Sequence, residues 1–499
     1  MQKPNNVSSE DWKRFLDEME EIQSRDTLGS KEGTRTQQGP GFEFNMKPEE
    51  LESYLNQFVI NQQDAVEILA TKICTHFNRM KLEKISKLKR PVVGNIKNNI
   101  LMIGPTGVGK TYIIKLIADK IGVPFVKADA TKFTETGYVG GDVEDLVRDL
   151  VHAADGNISE AEYGIIYIDE IDKISSSRNS IGPDVSRSGV QRNLLKIMEE
   201  SEVNLRTPHD LASQMEAAMQ AQKTGKIVRK VINTKNILFI VSGAFSGLEK
   251  IIEKRLNRTG IGFNAIPKSK ETYSSEIFRL AKNEDFMEYG FESEFIGRLP
   301  VVSVLDPLDV DGLFKILKNE NSSVILSKIM DFAAYGIDIT FTDGALLAIA
   351  EKAALQKTGA RGLTGVIEKI LVKFEKKLPS TAVKEFVVDE PLLANPDEAL
   401  TRLINESVFL SFSENFFEKH GIKLQFTEKA EEIIRQTAEK KNEGIADYIQ
   451  NLFQDYAYGL KLIQADSMTI DENVALDPEK YLNELIKQNY NLKKQSENK

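Results

Sequence analysis

The chain has a single cysteine, Cys74, among 499 residues. An internal disulfide is therefore impossible, and so is a zinc site built on thiolates. Cys74 falls in a helical pattern, where a small buried hydrophobe is the expected role. No apolar run approaches the ~20 residues needed to cross a bilayer. The segment Met1 to Asp11 is polar and lacks the apolar centre of a signal peptide. These absences point to a cytoplasmic protein with no membrane partner. An excess of basic charge is also missing. Lys plus Arg is 65 against 75 for Asp plus Glu, a net charge of −10, which argues against a general nucleic-acid binder. Neither a His-Glu-x-x-His helix nor a Gly-x-Ser-x-Gly elbow occurs, so no peptidase site is expected on this chain.

Hydrophobic residues make up 41% and charged residues 28%, the balance of a folded globular protein. The length allows roughly three domains at about 100–200 residues each. Residues 1–47 are polar and rich in Ser, Thr, Gly and Gln toward their end, and are expected to be a flexible arm, with a short helix at most over Asp11 to Ile22. From Pro48 the pattern changes to that of a helix opening on proline and acids. Four short apolar runs follow: Asn99 to Ile103, Pro124 to Ala128, Gly164 to Ile168 and Asn236 to Val241. Apolar throughout and separated by helical segments, they predict a doubly wound α/β domain with a buried parallel sheet, here assigned to 48–306. A smaller, mainly helical α/β domain is assigned to 307–390, with short strands at Asp338 to Phe341 and Glu385 to Val388. The segment Tyr335-Gly336-Ile337-Asp338-Ile339-Thr340-Phe341-Thr342 recurs 85 residues later as His420-Gly421-Ile422-Lys423-Leu424-Gln425-Phe426-Thr427. Residues 391–499 thus read as a degenerate second copy of the small domain.

Chemistry is concentrated at two places. Gly104-Pro105-Thr106-Gly107-Val108-Gly109-Lys110-Thr111, followed by Tyr112, lies between a predicted strand and a predicted helix. This is a Walker A loop: its glycines let backbone N–H groups wrap a phosphate, and the helix N-terminus favours the negative charge. Lys110 is placed to neutralise β- and γ-phosphates, and the Thr111 hydroxyl to ligate Mg²⁺. About 60 residues on, Ile165-Ile166-Tyr167-Ile168-Asp169-Glu170 ends an apolar strand in two carboxylates. Asp169 would hold Mg²⁺ through water, and Glu170 would orient and activate the attacking water. ATP and Mg²⁺ are the expected cofactors.

Further motifs occur in a fixed order: Gly137-Tyr138-Val139-Gly140, Asp169-Glu170-Ile171-Asp172-Lys173, Ile261-Gly262-Phe263, Glu294-Phe295-Ile296-Gly297-Arg298-Leu299-Pro300 and Gly359-Ala360-Arg361-Gly362-Leu363. With the Walker A loop, this series resembles the ClpX family of AAA+ ATPases over about residues 48–390; the HslU family shares several of the motifs. The resemblance implies an ATP-dependent protein unfoldase that works as a homo-hexamer on polypeptide substrates and feeds a separate ClpP-like peptidase. It implies that Val59 and Ile60 flank adenine, that Ser242 stands at the sensor-1 position, that Arg298 is an arginine finger reaching a neighbouring subunit's nucleotide, and that Arg361 is the sensor-2 arginine. It places Tyr138 and Val139 in a first pore loop, Arg187 in a second, over Ser186 to Gln191, and Ile261-Gly262-Phe263 in a loop that docks on the peptidase. Two other readings remain open: a remodelling chaperone acting without a peptidase, and a non-motor ATP-binding scaffold.

The chain departs from that family in three respects. Residues 1–47 have no Cys and no His to build the family's N-terminal zinc domain, so no zinc is expected. The stretch 204–230 does not read as the family's basic pore-entrance loop; Asp210 to Gln220 suggests an added helix. In the second copy of the small domain, the position matching Arg361 is Ala446, so that copy is expected to keep the fold without the nucleotide role.

Overall fold

All four apolar runs become strands of one parallel sheet. The computed structural model describes residues 44–85, 97–134, 141–176, 185–205, 230–259 and 273–497. The expected helices over Asp11 to Ile22 and Asp210 to Gln220 lie outside the described residues. Strands β1 (Ile100–Ile103), β2 (Phe125–Asp129), β3 (Ile165–Asp169), β6 (Leu238–Gly243) and β7 (Val301–Val304) lie in the order β2-β3-β6-β1-β7. Every pairing among them is parallel. β7 was not among the expected strands. Its short run Val-Val-Ser-Val directly follows Pro300, and it gains its place by pairing with the far edge of β1, Ile103 beside Val304. β4 (Glu202–Asn204) and β5 (Val231–Asn233) form a separate antiparallel pair.

The sheet is apolar because helices cover it on both faces. β1 is buried along its whole length, as is β6. Packed around the sheet are α1 (Pro48–Leu55), α2 (Gln63–Ile85), α3 (Lys110–Ile121), α4 (Asp145–Ala153), α5 (Val185–Met198), α6 (Leu248–Thr259) and α7 (Ser293–Gly297). α1 begins as its sequence suggests, with Pro48 in its first turn and the Glu50 carboxylate accepting from the Lys47 N–H at 3.0 Å. Cys74 of α2 is fully buried, and burial pushes its thiol up to about 11.

The chain then leaves the sheet at Leu305–Leu308 and builds a second core from α8 (Val310–Lys318), α9 (Ser323–Ala333), α10 (Asp343–Leu355), α11 (Arg361–Lys377) and the parallel strands β8 (Asp338–Phe341) and β9 (Glu385–Val388). These two strands stand where the sequence suggests. The core continues past residue 390. Leu392 and Leu393 of α12 (Glu390–Ala394) pack into it, as do Ala399 and Leu400 of α13 (Pro396–His420).

A third core repeats this order of elements. β10 (Lys423–Phe426) pairs in parallel with β11 (Ser467–Ile470), as β8 does with β9. α14 (Glu428–Lys441) starts from Thr427, whose hydroxyl accepts from Ala430 N, as α10 starts from Thr342 accepting from Ala345 N. α15 (Ile445–Leu452) and α16 (Tyr456–Leu462) occupy the stretch where the second core has the single helix α11. α17 (Glu472–Leu476), capped by Asp471, and α18 (Pro478–Glu497) parallel α12 and α13. α13 is common to both cores: its first half packs on the second core, and Phe409 and Phe416 of its second half pack in the third.

Candidate active site

The C-terminal ends of β1, β3 and β6 converge on one cleft, the place where ligands of parallel sheets bind. β1 lies between β6 and the edge strand β7 and runs into the glycine-rich loop. Gly107 and Gly109 take positive φ (79° and 100°), a conformation that costs glycine little. α3 then starts at Lys110, with its first N–H groups at the mouth of the cleft. Lys110 Nζ donates to the carbonyls of Gly104 (2.6 Å) and Pro105 (2.9 Å). Burial pushes its ammonium below the ordinary lysine value, against the pull of Asp169 and Asp172.

Adjacent strands bring the carboxylates in. Ile168 of β3 is in register with Val241 of β6, so Asp169 falls beside Ser242. Ser242 Oγ donates to Asp169 Oδ1 at 2.6 Å, and Thr111 Oγ1 donates to Asp169 Oδ2 at 3.3 Å. The next residue, Glu170, has φ +57°, an uncommon conformation for a side-chain-bearing residue, and its N–H donates to Asp169 Oδ1 at 3.1 Å. This turn sets the Glu170 carboxylate at an exposed position on the rim of the cleft while Asp169 stays within it. A hydroxyl and a carboxylate 3.3 Å apart at a helix N-terminus are hard oxygen donors, the set that suits Mg²⁺.

Tyr167 belongs to the site although no motif marks it. Its side chain is fully buried in β3, and its hydroxyl lies 2.7 Å from Ser242 Oγ and 3.3 Å from Thr111 Oγ1. It ties the ends of β3 and β6 to the first turn of α3 in one network. The only sequence signal is a polar-tipped aromatic two residues before the first acid.

The cleft measures about 510 Å³ and spans both cores. Val59 and Ile60 line it, with Phe58, from the loop after α1; Tyr112 lines it from α3. Leu308, Ile316 and Val324 complete its apolar end from the second core, a contribution that no sequence motif marks. That loop is tied to the connection between the cores. Gln62 Nε2 donates to Asp306 O at 2.9 Å, and its Oε1 accepts from Asp306 N at 2.8 Å. Arg361, first residue of α11, lines the opposite side with Ala360 and Thr364. Its charge contributes to depressing the Lys110 ammonium. Ala360 N donates to Gly107 O at 2.8 Å, so the second core touches the phosphate loop directly.

Arg298 is not in this cleft. It follows α7 on the surface, where its guanidinium pairs with Glu199 at 2.5 Å and its side chain is 52% exposed. Ser186 to Gln191 are the first turns of α5 rather than a loop: Val190 and Gln191 are buried, which fixes the segment as helix. Arg187, in the first turn, donates to Ser175 O at 3.2 Å. Tyr138, Val139, Ile261, Gly262 and Phe263 lie outside the described residues.

Comparison with known proteins agrees with this architecture. Residues 95–302 match the family described as AAA domain (Cdc48 subfamily), and residues 319–378 match the C-terminal, D2-small domain, of ClpB protein. The ATP-dependent Clp protease ATP-binding subunit ClpX of Borrelia duttonii (strain Ly) is 41% identical over 351 residues, 70% of this chain and 78% of that one. The protein of the same name from Bacteroides thetaiotaomicron is 40% identical over 68% of this chain and 80% of its own. That from Treponema denticola is 38% identical over 70% and 81%. Identity at this level across more than two thirds of the chain places it: the chain belongs to the ClpX family, the ATP-binding subunits of ATP-dependent Clp proteases, and is an AAA+ ATPase.

Proposed function

We propose that this chain is an ATP-driven unfoldase that works as a ring of six and threads polypeptide into a separate ClpP-like peptidase in the cytoplasm. One observation carries this reading: the nucleotide cleft is walled by two cores that meet at Gly107, while Arg298 stands outside it. A subunit that keeps its arginine off its own site needs a neighbour to use it.

In the hydrolytic step, water attacks the γ-phosphorus and the bond to the β–γ bridging oxygen breaks, releasing ADP and phosphate. Glu170 orients that water and takes up its proton. The N–H groups of Gly107 to Thr111 and the Lys110 ammonium hold the phosphates. Mg²⁺, held by the Thr111 hydroxyl and through water by Asp169, would supply further positive charge at the β- and γ-phosphates. Tyr167 and Ser242 keep the Asp169 carboxylate oriented. Arg361 reads the γ-phosphate from the second core, so loss of phosphate loosens the two cores. The resulting movement drives Tyr138 and Val139 along the pore. Within residues 391–499, the part beyond Ile404 is a duplicated small domain that has kept its fold and lost the nucleotide role, while Leu392 to Ile404 complete the second core. The matching caps at Thr342 and Thr427, and the positive φ at both Lys357 and Asn442, support that assignment.

The test is ATP-dependent loss of a tagged, folded fluorescent substrate, with and without a ClpP-type peptidase. Glu170→Gln should bind ATP yet lower turnover at least ~100-fold. Tyr138→Ala should hydrolyse ATP without unfolding. Phe263→Ala should unfold without supporting degradation. Unfolding that is indifferent to Phe263 and to the peptidase would instead identify a free-standing remodeller.

A further inference from the structure

Gln191 is fully buried in α5, and all of its amide chemistry is used between two other segments. Its Nε2 donates to Ile174 O at 2.8 Å and to Gly290 O at 3.3 Å, and its Oε1 accepts from Glu292 N at 2.9 Å. Ile174 closes the short 3₁₀ turn that begins directly after Glu170. Glu292 is the residue on which α7 starts, and Arg298 follows the end of α7. One side chain thus bridges the segment leaving the catalytic carboxylates and the segment leading to the arginine.

The bridge has little slack. Ser176 N and Oγ also donate to Gly290 O, at 3.0 and 2.9 Å. Gly290 has φ +123°, and a Cβ on it would lie 2.3 Å from Ser176 O, so only glycine allows this approach. At the far end of α5, Glu199 holds the Arg298 guanidinium. The Glu199 carbonyl is itself fixed by Lys97 Nζ (3.1 Å) and by Thr234 Oγ1 (2.8 Å). Asn99 Nδ2 donates to Arg298 O at 3.1 Å. The Glu199–Arg298 pair is solvent-exposed and contributes little by itself. A satisfied buried amide is different: replacing it leaves carbonyls without partners, and the segments must shift to recover them.

We propose that Gln191 is a positioning residue for Arg298, locking the arginine's segment to the one that follows its own subunit's Asp169 and Glu170. The proposal rests on the reading that Arg298 acts on a neighbour's nucleotide. Its consequence is that what a subunit offers its neighbour depends on the state of its own site.

The test uses the full chain and steady-state ATP hydrolysis. Gln191→Met keeps the volume and removes the hydrogen bonds. It should lower kcat about tenfold or more, the scale of a small misplacement, with KM for ATP within about twofold. Combined with Arg298→Ala, it should add no further loss, because a misplaced arginine and a missing one remove the same interaction. Ser176→Ala removes one donor to the same Gly290 carbonyl without emptying the core. It should show a smaller loss, about threefold, equally silent in the Arg298→Ala background. That variant keeps the test decisive if Gln191→Met misfolds. Losses that multiply with Arg298→Ala, a rise in KM at unchanged kcat, or wild-type kcat would overturn the positioning role. Wild-type turnover in Arg298→Ala alone would overturn the arginine's own role, a separate result.

Discussion

Gly107 and Gly359 are the residues through which the two cores meet. A Cβ on Gly107 would lie 2.0 Å from Thr358 O, and one on Gly359 would lie 2.6 Å from Gly107 O. Both have positive φ, so substitution is strained twice over. Gly107→Ala should push the Thr358–Arg361 loop off the phosphate loop and weaken nucleotide affinity at least ~10-fold, about 1.4 kcal/mol, read by titration of a fluorescent ATP analogue. His76 supplies a pH signature of the large core. Its Nε2 lies 3.0 Å from Asn236 O, and burial, with opposing help from that hydrogen bond and added repulsion from Lys97, brings its pKa down to about 4. An unfolded histidine titrates near 6.5. The neutral ring's contribution is therefore complete above about 6.5 and is lost as pH falls toward 4, where only the unfolded chain takes up the proton. Between pH 7 and 5 this group alone should cost about 2 kcal/mol. The melting temperature of wild type should fall more steeply over that range than that of His76→Gln; parallel curves would remove His76 from the account.

At the scale of elements, periodicity and turn chemistry made much of the fold legible. The strands β1, β2, β3, β6, β8 and β9 stand where apolar, β-branched runs between turn residues put them. The phosphate loop was legible because glycine spacing and the flanking strand and helix are local. What escaped is set by pairing across the chain. β7 is four residues behind a proline, with nothing in its own pattern to tell it from a loop. Tyr167 becomes part of the site only because β3 and β6 are neighbours in one register. Gln191 looked like a polar residue of a loop and is instead a buried junction among three segments. α13 escaped for another reason: its two halves serve different cores. Asn405 lies between the halves, after Ile404, which packs on the second core, and before Phe409, which packs in the third. Asn405→Pro should cost roughly 3 kcal/mol of helix and open the junction, because proline removes a ladder hydrogen bond and clashes with the preceding turn. Limited proteolysis should then cut near 405 in the variant and leave wild type intact there.

For the whole molecule, the boundary of the nucleotide-reading unit follows from the same packing. Ending the chain at residue 390 removes Leu392, Leu393, Ala399 and Leu400 from the second core, each a buried side chain. Leucine burial stabilises by about 1.5–3 kcal/mol per side chain, so this truncation should lower the melting temperature and weaken ATP binding through Arg361. Ending it at residue 405 keeps those contacts and should leave nucleotide affinity within about twofold of the full chain. If the two truncations bind ATP alike, the second core does not depend on α13. Comparing assembly and unfolding by the 1–405 chain with the full chain then isolates what the third core contributes.

The helix shared by two cores has the geometry of a crank. Its 25 residues extend about 37 Å at 1.5 Å per residue. One end is seated in the core that carries Arg361, and the other carries the third core. A turn of roughly 10° at the seated end sweeps the far end through about 6 Å over that length. Any tightening or loosening around the nucleotide would thereby be geared up into a larger stroke where the third core rides.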